Sequence, residues 1–317
     1  MKGLRSLLTN PGFLLGVGLY IAGFALLSQH SEFSASDLLL ELLIFGLCFS
    51  LIAWWTTIRA KPLLVAEHPT AVEMAGLTAY VVALSFYLAY GSQWINSWLP
   101  SNWIASAQIQ FWISIAKKLL VFVVVPFALF GPLCGYRMAD FGWQKAALRE
   151  LFHSHLPVVL ILSGAILAFQ YFVGGGAAPL REGKLTTQQL VLGLPLCFLW
   201  LAIEAGLVEE FFFRALLQAR LSAWFRSEIT GIALMALVFG LAHAPGFIFR
   251  HAGTVEGLGT NPSALDAIAY SIVVLAVSGV FFGIVWTRTK NLFALITIHA
   301  ATDLLPNLAG FVRTWGL

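Results

Sequence analysis

Nine runs of 17–22 almost wholly apolar residues follow one another along this chain, with only short polar connections between them. They cover 12–28, 37–57, 72–91, 119–136, 156–174, 188–208, 229–249, 265–286 and 291–312. A bilayer takes roughly 20 residues of helix to cross. Backbone amides find no water there, so a lone spanning segment must be helical. Composition agrees, with charged residues 10% of 317, apolar residues 59% and a mean hydropathy of +0.86. So little charge cannot cover a water-exposed surface. The expected fold is all-α: a polytopic transmembrane helical bundle of about eight or nine helices.

Two details leave the count open. Segment 95–118 is rich in Trp, Ser and Asn and reads as interfacial. The last run is either a full span or a short, re-entrant helix. Taken with the N-terminus inside, twelve Lys and Arg fall on inner segments and six (Lys117, Lys118, Arg181, Lys184, Arg250, Arg313) on outer ones. That bias expects a cytoplasmic N-terminus, and the expected location is a bacterial plasma membrane. The basic start of the first run resembles a signal peptide, but the runs behind it make a retained anchor the expectation. A net charge of +3 without a basic cluster gives nucleic acid no footing. Cys48, Cys134 and Cys197 lack metal-ligand spacing and read as buried packing residues. In organisation, 1–155 reads as a set of N-terminal transmembrane helices and 156–317 as the part that holds the chemistry.

That chemistry is concentrated in three places. Glu209 and Glu210 stand side by side in an apolar stretch, with Arg214 four residues after Glu210; His243 ends Phe-Gly-Leu-Ala-His; His299 opens His-Ala-Ala-Thr-Asp, closed by Asp303. Ionisable groups at membrane depth are expensive and default to functional hypotheses. Residues four apart share a helix face, so Glu210 and Arg214 can neutralise each other while Glu209, turned about 100° away, faces elsewhere. Phe239 and His243 share a face, as do His299 and Asp303. At ~1.5 Å per residue, Glu209 and His243 come out within about 3 Å of the same height on either side of a turn near Phe225. A carboxylate and two imidazoles meeting in a partly dry pocket suit water activation. Glu209 is then the base, His243 holds the water, and His299 and Asp303 face the oxyanion or the substrate backbone. Glu210 and Arg214 fix the helix.

The order Glu-Glu-x-x-x-Arg, Phe-x-x-x-His, His-x-x-x-Asn/Asp resembles the CPBP family of intramembrane endopeptidases. This family, also called Abi, includes the CAAX endopeptidase that trims prenylated proteins. The resemblance covers roughly residues 190–310, and all three motifs are complete. It implies an eight-helix-type bundle with a cytosol-facing catalytic cavity and peptide-bond hydrolysis. It also implies that Glu209 and His243 activate water while His299 and the Asn/Asp position, here Asp303, line the oxyanion side. An acid there donates a hydrogen bond only when protonated or when positioned by His299. The family has been described both as metalloprotease and as glutamic protease. No His-Glu-x-x-His helix is present, and only His243 and His299 could give nitrogen to Zn²⁺. No cofactor is expected, with zinc the open alternative.

Each group also has a plainer reading. A Glu–Arg pair four apart is often a structural ion pair, and a lone intramembrane histidine is often a packing group. Glu204 and Gln170 read as interhelical packing groups, Lys117 and Lys118 as a helix end that snorkels. His251, Glu256 and Asp266 read as solvated loop residues. Two other classes compete for the whole pattern. A proton-coupled transporter or channel also uses intramembrane Glu and His, but would show repeat symmetry between halves, whereas the polar residues here crowd the last third. A silent immunity or scaffold protein would have no need of both Glu209 and His243. The expected activity is cleavage of a membrane-associated protein or peptide, by a protein whose other partner is the lipid bilayer.

Overall fold

The computed structural model describes residues 7–29, 34–65, 68–249, 258 and 262–317, and among these no strand occurs. Among the described residues, seven helices are long and apolar enough to cross a membrane, or eight if one bent pair is a single span. In chain order the helices are α1 (Pro11–Leu27), α2 (Ala35–Thr56), α3 (Ala71–Ser97), α4 (Ala107–Cys134), α5 (Met138–His153), α6 (Leu156–Phe172), α7 (Thr187–Phe225), α8 (Glu228–Phe249), α9 (Ala264–Thr289) and α10 (Leu292–Trp315). The protein is an all-α, integral membrane bundle. Large apolar side chains such as Ile21, Trp55, Phe86 and Leu160 are exposed along the helices, which in a bilayer is the lipid-facing surface.

Several elements differ from expectation. α1 has only 17 residues, at the short limit for a span. The stretch expected at the interface is in large part the first half of α4, which Ser106 caps by accepting from the Ile109 amide. Several of its polar side chains have partners inside the protein. Gln108 donates to the Thr314 carbonyl, Lys117 to Asn96, and Lys118 pairs with Glu204 at 2.5 Å. Lys117 and Lys118 lie inside α4 rather than at a helix end, and Glu204 joins α7 to α4 through its ion pair with Lys118, in keeping with the interhelical role expected of it. The connection expected over 137–155 is largely helical and meets α6 at a bend of 74°, beside Pro157. α10 is a full helix of 24 residues, not a short one. Asp266 is buried and caps the start of α9 together with Ser263. Only Cys197 of the three cysteines is buried, and Cys48 is exposed. Arg250, His251 and Glu256 lie outside the described residues, as do Lys2 and Arg5.

The chain divides into two compact units. The first comprises Met1–Trp54, Ala66–Trp94 and Leu216–Thr287. Here α1 lies against α8 so closely that a Cβ on Gly12 would come within 2.8 Å of Thr230. Asn10 caps α1 and donates to Ser227 and Thr230 at the start of α8. The α7–α8 hairpin turns at Arg226, in the left-handed region at φ 50°. Arg220 and Glu73 form a buried ion pair at 3.2 Å.

The second unit comprises Trp55–Val65, Ile95–Ala215 and Arg288–Leu317. Its centre is α10, with Ala300, Leu304, Leu308 and Val312 packed against Cys197 and Leu201 of α7. The two helices run antiparallel, since Gln189 reaches the Leu317 carbonyl at one end and Gly206 meets Ile296 further along. At the base of α10, Asn291 accepts from the Phe293 and Ala294 amides. Its amide nitrogen donates to the Ala147 carbonyl and to His155, each at 2.8 Å. That one side chain ties the start of α10 to the bend between α5 and α6.

Candidate active site

The paired glutamates sit where α7 changes its winding. It is π-helical over Ala202–Leu207 and again over Glu210–Gln218, with Val208 and Glu209 between. Such turns are rare and recur at functional sites, where the wider coil re-aims the side chains. Just before them, a Cβ on Gly206 would lie 2.8 Å from the Ile296 carbonyl oxygen. The two backbones thus approach at a distance that a larger residue forbids. Helical side chains lean toward their own N-terminus. In this antiparallel pair, Glu210 and His299 therefore lean toward the Gly206–Ile296 crossing and meet there.

They meet as a hydrogen bond. Glu210 Oε1 lies 2.6 Å from His299 Nδ1 and 3.2 Å from Arg214 Nη1, with both Glu210 and Arg214 fully buried. An ionised carboxylate only accepts, so Nδ1 carries the proton and the ring is held with Nε2 facing away. Nε2 lies 3.7 Å from Glu209 Oε2 and 3.5 Å from Asp303 Oδ2. Both distances exceed a normal hydrogen bond, and Nε2 stands between the two carboxylates. Exposure rises in that direction, from 5% for the His299 side chain to 17% for Glu209 and 34% for Asp303. The dry side of the cluster is Arg214–Glu210–His299 and the open side is Glu209–Asp303. Five of the six expected site residues are thus brought together in one unit.

His243 belongs to the other unit, in the turn after α8's first stretch, Glu228–Leu241. Its Nδ1 lies 2.9 Å from the Phe239 carbonyl, which can only accept. Its Nε2 is thereby left as an acceptor. The Phe239 ring stands edge-on to it at 5.1 Å, so the expected shared face of Phe239 and His243 is present.

Residues 191–305 match a family model described as type II CAAX prenyl endopeptidase Rce1-like. The matched segment takes in Glu209, Glu210, Arg214, Phe239, His243, His299 and Asp303, and it agrees with the resemblance carried by the three motifs. The match supports a CAAX-protease-type enzyme in the membrane. No curated protein and no solved structure matches the chain.

Within the matched segment, His299 uses Nδ1 on Glu210. Its Nε2, with Glu209 and Asp303, are the donors this unit could turn toward a cation. Among the described residues, no group of three or more His, Cys, Asp or Glu has the geometry to hold a metal ion. Sequence reasoning missed the supporting residues: Gly206 at the crossing, Asn291 at the base of α10, and the role of Gln170. A small residue one turn before the glutamates was the visible sign of the first.

Proposed function

We propose that this protein is an intramembrane endopeptidase that hydrolyses a peptide bond in a membrane-associated protein or peptide. In this reading residues 156–317 are the protease core and 1–155 are accessory spans. The N-terminus is cytoplasmic, in a bacterial plasma membrane, and cleavage occurs near the cytoplasmic interface. The carrying observation is that Glu209, Glu210, His299 and Asp303 cluster within the segment that matches the family model.

Glu209 takes a proton from water, and the water oxygen bonds to the scissile carbonyl carbon as the carbonyl π pair moves onto oxygen. Nε2 of His299 and Asp303 face that oxygen. The Glu210–His299 pair offers an Nε2–H donor when it holds two protons, one along the Nδ1–Oε1 contact and one on Nε2. In this reading His243 also acts in activating the water, as the resemblance of the three motifs implies. Collapse of the intermediate breaks the C–N bond, and Glu209 returns its proton to the leaving nitrogen. The products are a new carboxyl terminus and a new amino terminus. No cofactor enters these steps, and zinc is tested directly.

Wild type, Glu209→Gln and His243→Ala are reconstituted in vesicles with a library of membrane peptides, with and without a prenyl group. Products are read by mass spectrometry with and without chelator. The expected result is cleavage by wild type alone, untouched by chelator. Cleavage abolished by chelator and restored by Zn²⁺ overturns the metal-free mechanism. Normal cleavage by Glu209→Gln overturns the base assignment, and no cleavage by wild type overturns the endopeptidase reading.

A further inference from the structure

α10 carries a proline in its interior, Pro306. Proline has no N–H, so the carbonyl four residues before it loses its helical donor. That carbonyl belongs to Thr302, the fourth residue of the site's third motif and directly before Asp303. Left unpaired inside a membrane bundle, it would pull its turn toward another partner. The structure supplies one from a different helix: Gln170 of α6, itself buried, donates its amide N–H to the Thr302 carbonyl. The far side of the proline is closed as well, because a Cβ on Gly176 would come within 2.8 Å of Pro306 Cα.

We infer that Gln170 is a positioning residue. It replaces the hydrogen bond that Pro306 removes, and so holds the turn that presents Asp303 to His299. This inference rests on the proposed endopeptidase role for its effect on turnover, but the clamp itself is a statement about Gln170 and Pro306. The relationship is specific. An interhelical packing group could meet any part of α10, whereas this one meets the single carbonyl the proline orphans. Asp303 Oδ2 lies 3.5 Å from His299 Nε2, and catalytic geometry of this kind is lost by shifts of about 1 Å.

The proline makes the inference testable by rescue. In Pro306→Ala the helix recovers its own N–H to Thr302, and Gln170 becomes dispensable. Four proteins are compared in vesicles: wild type, Gln170→Leu, Pro306→Ala and the double variant. Each is given the library peptide that wild type cleaves fastest, with kcat and KM measured per folded molecule and thermal midpoints taken in detergent. Gln170→Leu should lower kcat about tenfold with KM unchanged, the loss expected of one buried hydrogen bond that sets reacting geometry. The double variant should return to within about twofold of Pro306→Ala. An equal loss in both backgrounds, or none in either, overturns the inference. If wild type cleaves nothing, the endopeptidase reading fails by itself. The clamp is then judged by the thermal midpoints, where Gln170→Leu must cost less in the Pro306→Ala background than in wild type. Equal costs there overturn it.

Discussion

Glu210 holds His299 by Nδ1 at 2.6 Å, and with the same oxygen it faces Arg214. The glutamate expected to be only a scaffold partner of Arg214 is therefore shared between the helix it sits on and the imidazole opposite. That sharing separates two roles. Arg214 neutralises a buried carboxylate. Glu210 does this and also fixes which ring nitrogen of His299 looks toward Glu209 and Asp303.

The two residues should accordingly fail in different ways. Arg214→Ala strands a fully buried carboxylate and should cost about 3 kcal/mol of stability, with the folded fraction retaining most of its turnover. Glu210→Gln should reduce the folded amount too, but the molecules that fold should lose about a hundredfold in kcat, because the neutral amide no longer anchors the imidazole as a charged acceptor. Folded fraction by gel filtration and kcat per folded molecule check both. Equal turnover in the two variants would mean that Glu210 acts on the fold alone.

Much of this was legible in the sequence, for reasons that can be named. The spans were visible because bilayer thickness dictates their length, and the i,i+4 pairs because helix geometry does. Sequence spacing could place Glu210 with Arg214 and His299 with Asp303. It could not place Glu210 with His299, since that contact depends on an antiparallel crossing at Gly206 and Ile296. The partners of segment 95–118 were hidden for a similar reason. Lys118 looks like an interfacial charge until Glu204, on another helix, is found beside it.

Asp303 offers a second division. The Asn/Asp position suits an oxyanion partner, and a neutral amide there supplies a donor without needing a proton. Asp303→Asn should therefore keep kcat within about tenfold of wild type, while Asp303→Ala should lose about a hundredfold. Both are read with the peptide assay. A collapse in Asp303→Asn as deep as in Asp303→Ala would show that the carboxylate charge, rather than a hydrogen bond to the oxyanion, is what the site uses.

The Asn291 side chain carries four hydrogen bonds at the base of α10, two accepted and two donated. Asn291→Ala removes a helix cap together with the tie to Ala147 and His155, and should cost about 2–3 kcal/mol. Asn291→Asp keeps the cap but has no amide to donate, so it should fall between wild type and alanine. Denaturant midpoints in detergent give the order. If aspartate is as damaging as alanine, the tie to the α5–α6 bend matters more than the cap.

Gly206 sets how near α7 comes to α10. A Cβ there would sit 2.8 Å from the Ile296 carbonyl oxygen and 3.2 Å from its Cα, and backbone cannot step aside as a flexible side chain does. Gly206→Ala must therefore push the helices apart at the level where Glu210 and His299 meet. A shift of a few tenths of an ångström would lengthen the 2.6 Å bond between them and move Nε2 relative to Glu209. The expected outcome is a loss of at least tenfold in kcat, with a stability cost of about 1–3 kcal/mol from the strained contact. Gly164, around which a Cβ would meet nothing within 4 Å, is the control, and Gly164→Ala should leave turnover unchanged. Wild-type turnover in Gly206→Ala would mean that the crossing has slack, and that the Glu210–His299 contact is not held by the helix approach.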